Sequence, residues 1–353
     1  MKVAFDHQIF TIQRYGGISR YFIYLIDGLE NKVNAKILSG LYQNEYYQKK
    51  YNSVKFNNLP NTITLNRYLN KVSNFLDSKL FTPNILHETY YYNSIPFKGK
   101  RVTTVYDMIH EKFPSYFSND NFTSTAKLNS IKRADHILVI SKSTKNDLME
   151  IFNIDEKKIT VTYLGVDPFF NYEKTDSIIS DDYFLFVGNR GGHKNFNKLL
   201  EAFKQSEKLS KITLVCFGGK PLNKEEMEKI SRYKLKVKNI QGDDYILKNL
   251  YNNAIALIVP SQYEGFGLPV LEAMGCGCPV ISSNTSSLPE VGGDAANYFD
   301  PTSAEEIKFN IENILISTTI RDKYRTMGLE RVKKFTWQKT AIDTYAAYKN
   351  LAK

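Results

Sequence analysis

The chain of 353 residues lacks the sequence features that are typical of membrane-spanning, disulfide-rich and zinc-binding proteins. No stretch approaches the roughly 20 consecutive apolar residues that a membrane-spanning helix needs. Three cysteines are too few for a disulfide framework, and Cys276 and Cys278 have no second pair of ligands of the kind that a zinc site uses. The N-terminus reads directly as a strand over 1–5 rather than as a leader peptide. We therefore expect a cytoplasmic protein.

Two further absences limit the partners and the chemistry. The net charge is +10, but the sequence has no long run of Lys or Arg and no nucleic-acid-binding signature, so we expect no nucleic acid partner. No strand pattern is followed by a complete Gly-x-Gly-x-x-Gly, which disfavours an NAD-dependent oxidoreductase. The positive charge leaves an anionic membrane surface or a phosphorylated substrate open.

The sequence does contain a repeated alternation of short apolar runs and helical patterns. This alternation predicts parallel sheets made of β-α-β units, and the length is about twice that of a usual domain. We expect an α/β fold with two Rossmann-like domains that face each other across a cleft. The predicted strands are 2–7, 35–39, 84–90, 101–107, 136–141 and 159–164 in the first half, and 183–188, 212–217, 237–241, 255–260, 280–283 and 297–299 in the second.

Two polar segments interrupt this alternation. The segment 171–182 is charged and has no periodicity, so it marks a domain boundary. The segment 42–74 is rich in Asn, Lys and Tyr and carries little core pattern, and it is expected to be a mobile surface excursion.

The most informative segment is 261–275, which reads Ser-Gln-Tyr-Glu-Gly-Phe-Gly-Leu-Pro-Val-Leu-Glu-Ala-Met-Gly. Pro269 suits the first turn of a helix and Gly275 suits its end, so the segment predicts a loop followed by a short helix. The free N–H groups at such a helix start favour a phosphate. Glu264 can reach a ligand beyond the helix N-terminus, and Glu272 can accept hydrogen bonds from a ribose. By itself, this pair of carboxylates would favour the plainer interpretation, a glycine turn before an ordinary amphipathic helix.

The full segment resembles the Glu-x7-Glu signature of the retaining family 4 glycosyltransferases, which have the GT-B fold. The resemblance implies that Glu264 contacts the donor sugar as a catalytic residue and that Glu272 binds the ribose. It implies further donor-binding residues between them at Gly265, Phe266, Gly267 and Leu268. Residues 280–284 and 289–296 also resemble the family.

The resemblance gives three parts of the chain their expected roles. Residues 1–170 would form the acceptor-side Rossmann-like domain, and residues 171–336 would form the domain that binds the nucleotide sugar. The segment from Phe335 onward resembles the one that crosses back, so residues 337–353 would be a helix that packs toward the N-terminal domain.

A basic loop follows the first strand of the second half. Residues 184–195 read Phe-Leu-Phe-Val-Gly-Asn-Arg-Gly-Gly-His-Lys-Asn and look like the opening of the family's nucleotide domain. The resemblance implies that Arg190 and Lys194 bind the donor diphosphate, because both side chains can neutralise a departing phosphate. Without it, two loop cations would carry no such meaning.

In the first half, a glycine pair and the end of a strand supply further candidates. Gly16 and Gly17 open a helix after the first strand, and the family places this loop beside the donor phosphate, so both are predicted to bind the donor. Asp107 and His110 follow the strand 101–107 and are candidate catalytic residues, because ligands gather at such strand ends. Many relatives have a His where Tyr106 stands, and this departure puts the family's histidine role in doubt.

Three other residues near strand ends have two open interpretations. Asp6 and His7 end the first strand, where they would either touch the acceptor or only pack. His87 is expected to be structural.

The resemblance implies transfer of a hexose from a nucleoside-diphosphate sugar to an acceptor hydroxyl with retention of configuration. No Asp-x-Asp element of the metal-dependent transferases is present, so we expect neither a metal nor a cofactor. A nucleotide-sugar epimerase or phosphorylase on the same scaffold remains an alternative. A non-catalytic sugar-nucleotide-binding protein remains another.

The expected partners follow from the same resemblance. The segments around Gly16 and Asp107 look most like bacterial transferases that build surface polysaccharides such as O-antigen. This favours a GDP-mannose-type donor, with UDP- and dTDP-sugars open, and an oligosaccharide or lipid-linked glycan acceptor. A peripheral contact with the inner membrane is also considered, with solvated charge as the alternative; it would use Lys49, Lys50, Lys71, Lys98, Lys100 and Arg101.

Overall fold

A computed structural model describes residues 1–51, 63–92, 94–117 and 121–352, and it divides the chain into two compact units. Unit 1 comprises Met1–Gly165 and Trp337–Lys353, and unit 2 comprises Val166–Thr336. No helix in the described ranges is both long enough and apolar enough to cross a membrane.

Unit 1 is built on a parallel six-stranded sheet. Its strands are β1 (Lys2–Phe5), β2 (Asn34–Ile37), β3 (Ile85–Glu88), β4 (Lys100–Val105), β5 (His136–Val139) and β6 (Ile159–Val161). They lie in the order β2-β1-β3-β4-β5-β6. Its helices are α1 (Gln8–Ile12), α2 (Gly17–Leu29), α3 (Glu45–Tyr51), α4 (Ile63–Phe81), α5 (Ile109–Lys112), α6 (Asn121–Arg133) and α7 (Lys142–Phe152). Two single-turn helices lie at Pro114–Phe117 and Glu156–Lys158.

Unit 2 repeats this plan. Its strands are β7 (Tyr183–Val187), β8 (Thr213–Phe217), β9 (Val237–Ile240), β10 (Ala256–Val259), β11 (Val280–Ser283) and β12 (Ala296–Phe299). All pair in parallel in the order β12-β11-β10-β7-β8-β9. Its helices are α8 (Phe196–Lys204), α9 (Glu207–Lys211), α10 (Lys224–Tyr233), α11 (Asp244–Asn253), α12 (Leu268–Gly275), α13 (Leu288–Gly292), α14 (Ala304–Ile316) and α15 (Thr318–Val332). Single turns lie at Gly192–Lys194 and Gly293–Ala295.

The core of unit 2 explains why its strands read as unbroken apolar runs. β8 and β10 are buried along their whole length, since helices cover both faces of a parallel sheet. The strand side chains pack against α8 and α14, whose buried residues include Leu199, Phe203 and Ile311. The prediction of an α/β fold with two parallel sheets is confirmed, and each of the twelve predicted strands overlaps a strand of the structure.

The last helix, α16 (Trp337–Leu351), packs against α2 within unit 1. The indole of Trp337 stacks on the ring of Tyr24, with the ring centroids 5.0 Å apart. A Cβ at Gly28 would lie 2.5 Å from the Cβ of Ala341, so the glycine allows the two helices to approach closely. The α2–α16 contact therefore depends on a small residue as well as on a ring stack.

The far end of α16 reaches a buried histidine in the sheet of unit 1. The His87 ring hydrogen-bonds to the hydroxyls of Tyr348 at 2.5 Å and Thr104 at 2.8 Å. Full burial lowers the pKa of His87 to about 3, so the ring is neutral near pH 7. His87 thus has the structural role expected from the sequence.

The expectation of a mobile surface excursion at 42–74 is wrong for its described part; residues 52–62 lie outside the described residues. The helices α3 and α4 fall in this segment, and Tyr42 is buried. Asn70 and Asn74 of α4 are fully buried as well. In α4 it is polar side chains that face the core, which is why the low core pattern of this segment was misleading.

Candidate active site

The contact between Lys194 and Glu264 is the centre of the candidate site in unit 2. The ammonium of Lys194, in the turn after β7, lies 2.6 Å from Oε1 of Glu264, in the loop between β10 and α12. The hydroxyl of Ser261 donates to the same carboxylate oxygen at 2.6 Å. The Lys194 and Glu264 side chains are 22% and 15% exposed, so this Glu264 cluster (Lys194, Ser261 and Glu264) remains open to solvent.

The predicted donor-binding segment forms the start of α12. Gly265, Phe266 and Gly267 lead into the helix, and Leu268 is its first residue. Gly267 has φ of +100°, a conformation that side chains with a Cβ rarely adopt. Pro269 occupies the first turn, where its missing N–H removes no helical hydrogen bond. The helix therefore presents its N-terminal N–H groups beside the Glu264 cluster, an arrangement that favours an anion.

Glu272 lies one turn further along α12 and is nearly buried. Its Oε2 accepts a hydrogen bond of 3.2 Å from the hydroxyl of Tyr251 on α11. The carboxylate is thereby held in a fixed position, as a group that accepts ribose hydroxyls would require.

A serine-rich loop between β11 and α13 holds the Glu264 loop in place. The Ser286 hydroxyl accepts from the backbone N–H of Glu264 at 2.9 Å. The Ser287 hydroxyl donates to the backbone oxygens of Glu264 at 2.8 Å and Phe266 at 2.9 Å. Sequence reasoning missed these positioning residues, although the Ser/Thr-rich run after β11 was a visible signal.

Asn195 performs a similar function for the Lys194 turn. Its backbone is left-handed, with φ of +59°, and it is the residue directly before α8. Its side-chain amide donates to the carbonyl oxygens of Pro260 at 3.0 Å and Pro301 at 2.8 Å. This residue, also missed from the sequence, ties the Lys194 turn to the end of β10.

The structure places Arg190 in different surroundings from Lys194. Its Nε donates to Glu226 of α10 at 3.0 Å, and its Nη2 donates to the carbonyl of Lys220 at 2.5 Å. Its Nη1 is buried without a hydrogen-bond partner among the described residues. A Cβ at Gly219 would lie 3.4 Å from this nitrogen, and φ of +69° favours glycine there. Of the two predicted diphosphate ligands, only Lys194 contacts Glu264.

In unit 1, Gly16 and Gly17 lie at the N-terminus of α2. Gly17 is the first helical residue and is exposed, so it offers its N–H to solvent. A Cβ at Gly16 would lie 2.4 Å from Oε1 of Gln13. The missing side chain at Gly16 thus leaves room for Gln13, which accepts from the N–H of Ser19 at 3.3 Å.

Asp107 and His110 lie just beyond β4, where α5 begins. The Asp107 carboxylate accepts from the N–H of Ile109 at 3.1 Å and is part-exposed. Lys127 of α6 donates at 2.8 Å to both the Asp107 carbonyl and Glu111. The His110 ring packs on Phe117, with the ring centroids 4.2 Å apart.

Tyr106 and Asp6 are both engaged within unit 1. The Tyr106 hydroxyl is buried and donates to the carbonyl of Thr89 at 3.2 Å. The Asp6 carboxylate accepts from the N–H and the hydroxyl of Thr89 at 2.9 and 2.6 Å. Burial raises the pKa of Asp6 above its usual value. Nδ1 of the His7 ring donates to Oδ1 of Asn74 at 3.1 Å.

Known proteins resemble both halves of the chain. Residues 15–169 match the family described as Glycosyltransferase Family 4, and residues 172–331 match Glycosyl transferases group 1. The chain is 29% identical over 269 residues to O-antigen chain mannosyltransferase B of Escherichia coli, covering 71% of each chain. It is 30% identical over 227 residues to O-antigen chain mannosyltransferase RfbU of Salmonella typhimurium, covering 63% of each.

A solved structure shares the fold over nearly the whole chain. The Anabaena protein HepE, crystallised in complex with UDP and glucose, superposes with a TM-score of 0.77 at 14% identity, covering 99% of this chain and 100% of the other. The two matched regions together span most of the sequence, and both contain a parallel sheet of the GT-B type. The chain belongs to the family 4 glycosyltransferases.

Proposed function

We propose that this glycosyltransferase moves a mannose-type hexose from a GDP-sugar to a lipid-linked or free glycan acceptor in surface polysaccharide synthesis. The observation that carries the proposal is the Glu264 cluster at the N-terminus of α12, where a cation, a carboxylate and the positive end of a helix lie together. A nucleoside-diphosphate sugar needs all three kinds of group. The two mannosyltransferase relatives support the choice of sugar.

Each group has a distinct part in donor binding. Lys194 and the N-terminal N–H groups of α12 hold the diphosphate, and they stabilise its charge as it leaves. Glu264 accepts hydrogen bonds from the donor sugar, and Glu272 accepts from the ribose. Arg190 offers its unpaired Nη1 to the diphosphate.

The transfer retains the configuration at the anomeric carbon and uses no metal. The bond between C1 and the diphosphate oxygen breaks, and its electron pair goes to the diphosphate. The acceptor oxygen then bonds C1 from the same face, and its proton passes to the departing phosphate oxygen. Gly17 at the start of α2 assists the phosphate, and Asp107 and His110 orient the acceptor. We propose that these steps occur at the cytoplasmic face of the membrane, with the protein attached peripherally.

Donor binding is tested by thermal shift with GDP, UDP, dTDP, ADP and their common sugars. A nucleotide at 100 times its dissociation constant stabilises the folded state by about 2.7 kcal/mol. We expect GDP and GDP-mannose to raise the melting temperature most, and Lys194→Ala to weaken the effect. A larger shift with UDP would replace the proposed donor, and no shift with any nucleotide would contradict the proposal.

Catalysis is tested by transfer of radiolabelled mannose from GDP-mannose to a membrane lipid extract. Glu264→Gln is expected to lose transfer while keeping the nucleotide-induced thermal shift, whereas the control Glu305→Gln, an exposed carboxylate on α14, keeps both. EDTA should leave the rate unchanged, and NMR of the product should show the donor's anomeric configuration. Nucleotide binding without transfer would favour a non-catalytic binding protein.

A further inference from the structure

Unit 1 contains a cavity of about 350 Å³, here called the unit 1 cavity, which lies where β1 and β3 end. Ligands collect at this edge of parallel sheets. The rings of Tyr91, Tyr92 and Phe122 supply much of its wall, and Arg67 and Lys71 of α4 line it as well. This volume lies within the range of small-molecule sites and has room for a sugar ring with a phosphate.

Two cations of the cavity have no acidic partner in the part of the chain that the structure describes. Among the described residues, neither Arg67 nor Lys71 forms an ion pair, and the lining contains no carboxylate. The Arg67 guanidinium lies over the Tyr92 ring, 4.7 Å from its centroid. The third cation, Arg133, differs because it pairs with the buried Glu88 at 2.7 Å. The uncompensated charge therefore lies on the α4 side of the cavity.

Two buried polar atoms in the lining also lack partners within the described residues. Nε of Arg67 is a donor without an acceptor, and Oε1 of Gln8 is an acceptor without a donor. The amide nitrogen of Gln8 donates to Asp6 at 2.7 Å, which fixes the side chain with Oε1 free. Buried polar atoms normally have partners, so the pair points to a ligand that both donates and accepts.

We propose that the unit 1 cavity binds a sugar that carries a phosphate group. The sugar packs on the aromatic rings and donates a hydroxyl to Gln8, and the phosphate faces Arg67 and Lys71. The inference rests on the proposed function, in which this ligand is the charged end of the acceptor. It adds a substrate class to that function, a phosphorylated rather than a neutral glycan.

The test is calorimetric titration with mannose 1-phosphate, mannose and inorganic phosphate. We expect mannose 1-phosphate to bind at least tenfold more tightly than either fragment. Arg67→Gln combined with Lys71→Gln should remove this preference, because the phosphate loses both cations, and should leave the nucleotide-induced thermal shift unchanged. The same preference should survive in Lys194→Ala, which alters only the donor site.

Three results would overturn the inference. Binding that is lost in Lys194→Ala and kept in the Arg67/Lys71 double variant would place the ligand at the donor site instead. If inorganic phosphate binds as tightly as mannose 1-phosphate, the sugar contributes nothing to recognition. If mannose 1-phosphate does not bind at all, the cavity is not a site for this class of ligand. A failure of the proposed function is seen separately, as a donor site that binds no nucleotide.

A second, independent observation concerns the orientation of α4, which turns its polar face toward the core and its apolar face toward solvent. The helix is 19 residues long, about 28 Å, and it buries a polar stripe of Asn66, Asn70, Asn74 and Ser78. Its opposite face is apolar and between 44% and 85% exposed, with the side chains of Leu65, Leu69, Val72, Leu76 and Leu80 in one row. We call these five residues the α4 ridge. A continuous exposed apolar row of this kind marks an interaction surface.

The charges beside the α4 ridge identify its partner. Lys79 is exposed next to the ridge, whereas Arg67 and Lys71 lie on the far side of the helix, near the buried polar stripe, where they line the unit 1 cavity. The acidic residue of α4, Asp77, is neutralised by Lys36 at 2.7 Å. A second copy of the chain would bring the Lys79 side chains beside the two ridges near one another, whereas an anionic lipid surface would attract Lys79.

We infer that α4 lies in the surface of an anionic bilayer, with the α4 ridge among the lipid chains. Such in-plane helices combine one apolar face with flanking Lys and Arg. The contact differs from the one expected from the six basic residues of the sequence. Three of those six are ion-paired: Lys50 with Asp27, Lys100 with Asp135 and Arg101 with Glu88.

The test is flotation of the full chain with two kinds of phosphatidylcholine vesicle. One contains no phosphatidylglycerol, and the other contains roughly 30 mol% of it, so that only the second has an anionic surface. We expect binding to the anionic vesicles, and Leu69→Ser with Leu76→Ser should weaken it on the order of tenfold or more, because two apolar side chains leave the lipid. The matched control is Phe309→Ser with Ile316→Ser, two exposed apolar residues of unit 2.

The melting temperature of the Leu69/Leu76 variant should equal that of the parent, since both side chains are exposed. Equal vesicle binding by the two proteins, or no binding by the parent, would overturn the inference. Sedimentation supplies another decisive result: a lipid-free dimer that the Leu69/Leu76 variant cannot form would make a second copy the partner.

Discussion

Arg190 and Lys194 lie four residues apart in one loop, and their surroundings give them different energetic roles. The Arg190 and Glu226 side chains are only 4% and 12% exposed, so removing the cation leaves a carboxylate in a poorly hydrated site. We predict that Arg190→Ala lowers the free energy of unfolding of unit 2 by about 3–5 kcal/mol. Lys194→Ala should change stability little, because Glu264 keeps the Ser261 hydroxyl and access to water.

Calorimetric melting of the two variants checks this difference. The double variant Arg190→Ala with Glu226→Ala is the control, and it should recover part of the loss because no unpaired charge stays buried. An Arg190→Ala protein as stable as Lys194→Ala would contradict the prediction. It would show that the Arg190–Glu226 pair contributes nothing to the fold.

The site residues that were predicted from the sequence lie in local patterns, whereas those that were missed act on residues far away along the chain. Glu264, Glu272 and Lys194 were predicted because two local segments, 261–275 and 184–195, resemble those of a known family. Ser286, Ser287 and Asn195 act through hydrogen bonds to residues about 20 or more positions away along the chain. No local pattern contains that information, because it depends on which loops the sheet brings together.

At the scale of elements, the strands were predictable and α4 was not. A strand buried on both faces is a short apolar run, and this signal survives in any tertiary setting. The leucines of α4 also have helical spacing, which ordinarily predicts that they face the core. The structure reverses the helix, and Asn70 and Asn74 hydrogen-bond to backbone groups of the loop after β2.

This reversal predicts that a more hydrophobic α4 is less stable. The Asn70 side chain accepts from the N–H of Leu41 and donates to the Leu41 carbonyl and the Thr11 hydroxyl, at 2.6, 2.9 and 2.9 Å. Asn70→Leu removes all three hydrogen bonds at a part-buried site, and a buried polar group that loses its partner costs about 1–3 kcal/mol. We expect a clear drop in the urea midpoint of unit 1, whereas Leu80→Asn, on the exposed face, should cause none. An unchanged midpoint in Asn70→Leu would show that the leucines can turn inward.

At the scale of the whole molecule, unit 1 is discontinuous in sequence and unit 2 is not. The chain leaves unit 1 after Gly165 and returns at Trp337 to add α16. At this crossing the N–H of Val166 donates to the carbonyl of Phe335 at 3.1 Å, so the outgoing and returning strands of chain run side by side. A unit assembled from two distant segments cannot be recognised from composition, and only the resemblance to a family predicted the return of the last helix.

The close crossing makes unit 1 separable, and this gives the last prediction. A protein in which a short Gly-Ser linker joins Gly165 directly to Trp337 should fold cooperatively, because the crossing places the two ends close together and α16 can still cover α2. The fragment 1–165 alone should not, since it exposes the α2 surface around Tyr24 and Gly28 and leaves His87 without the Tyr348 hydroxyl. Circular dichroism during urea unfolding distinguishes the two outcomes, and adding the peptide 337–353 to the short fragment should restore part of the transition. If both proteins unfold with the same sharp transition, α16 is an appendage of unit 1 rather than part of its core; if neither does, the folding of unit 1 depends on unit 2.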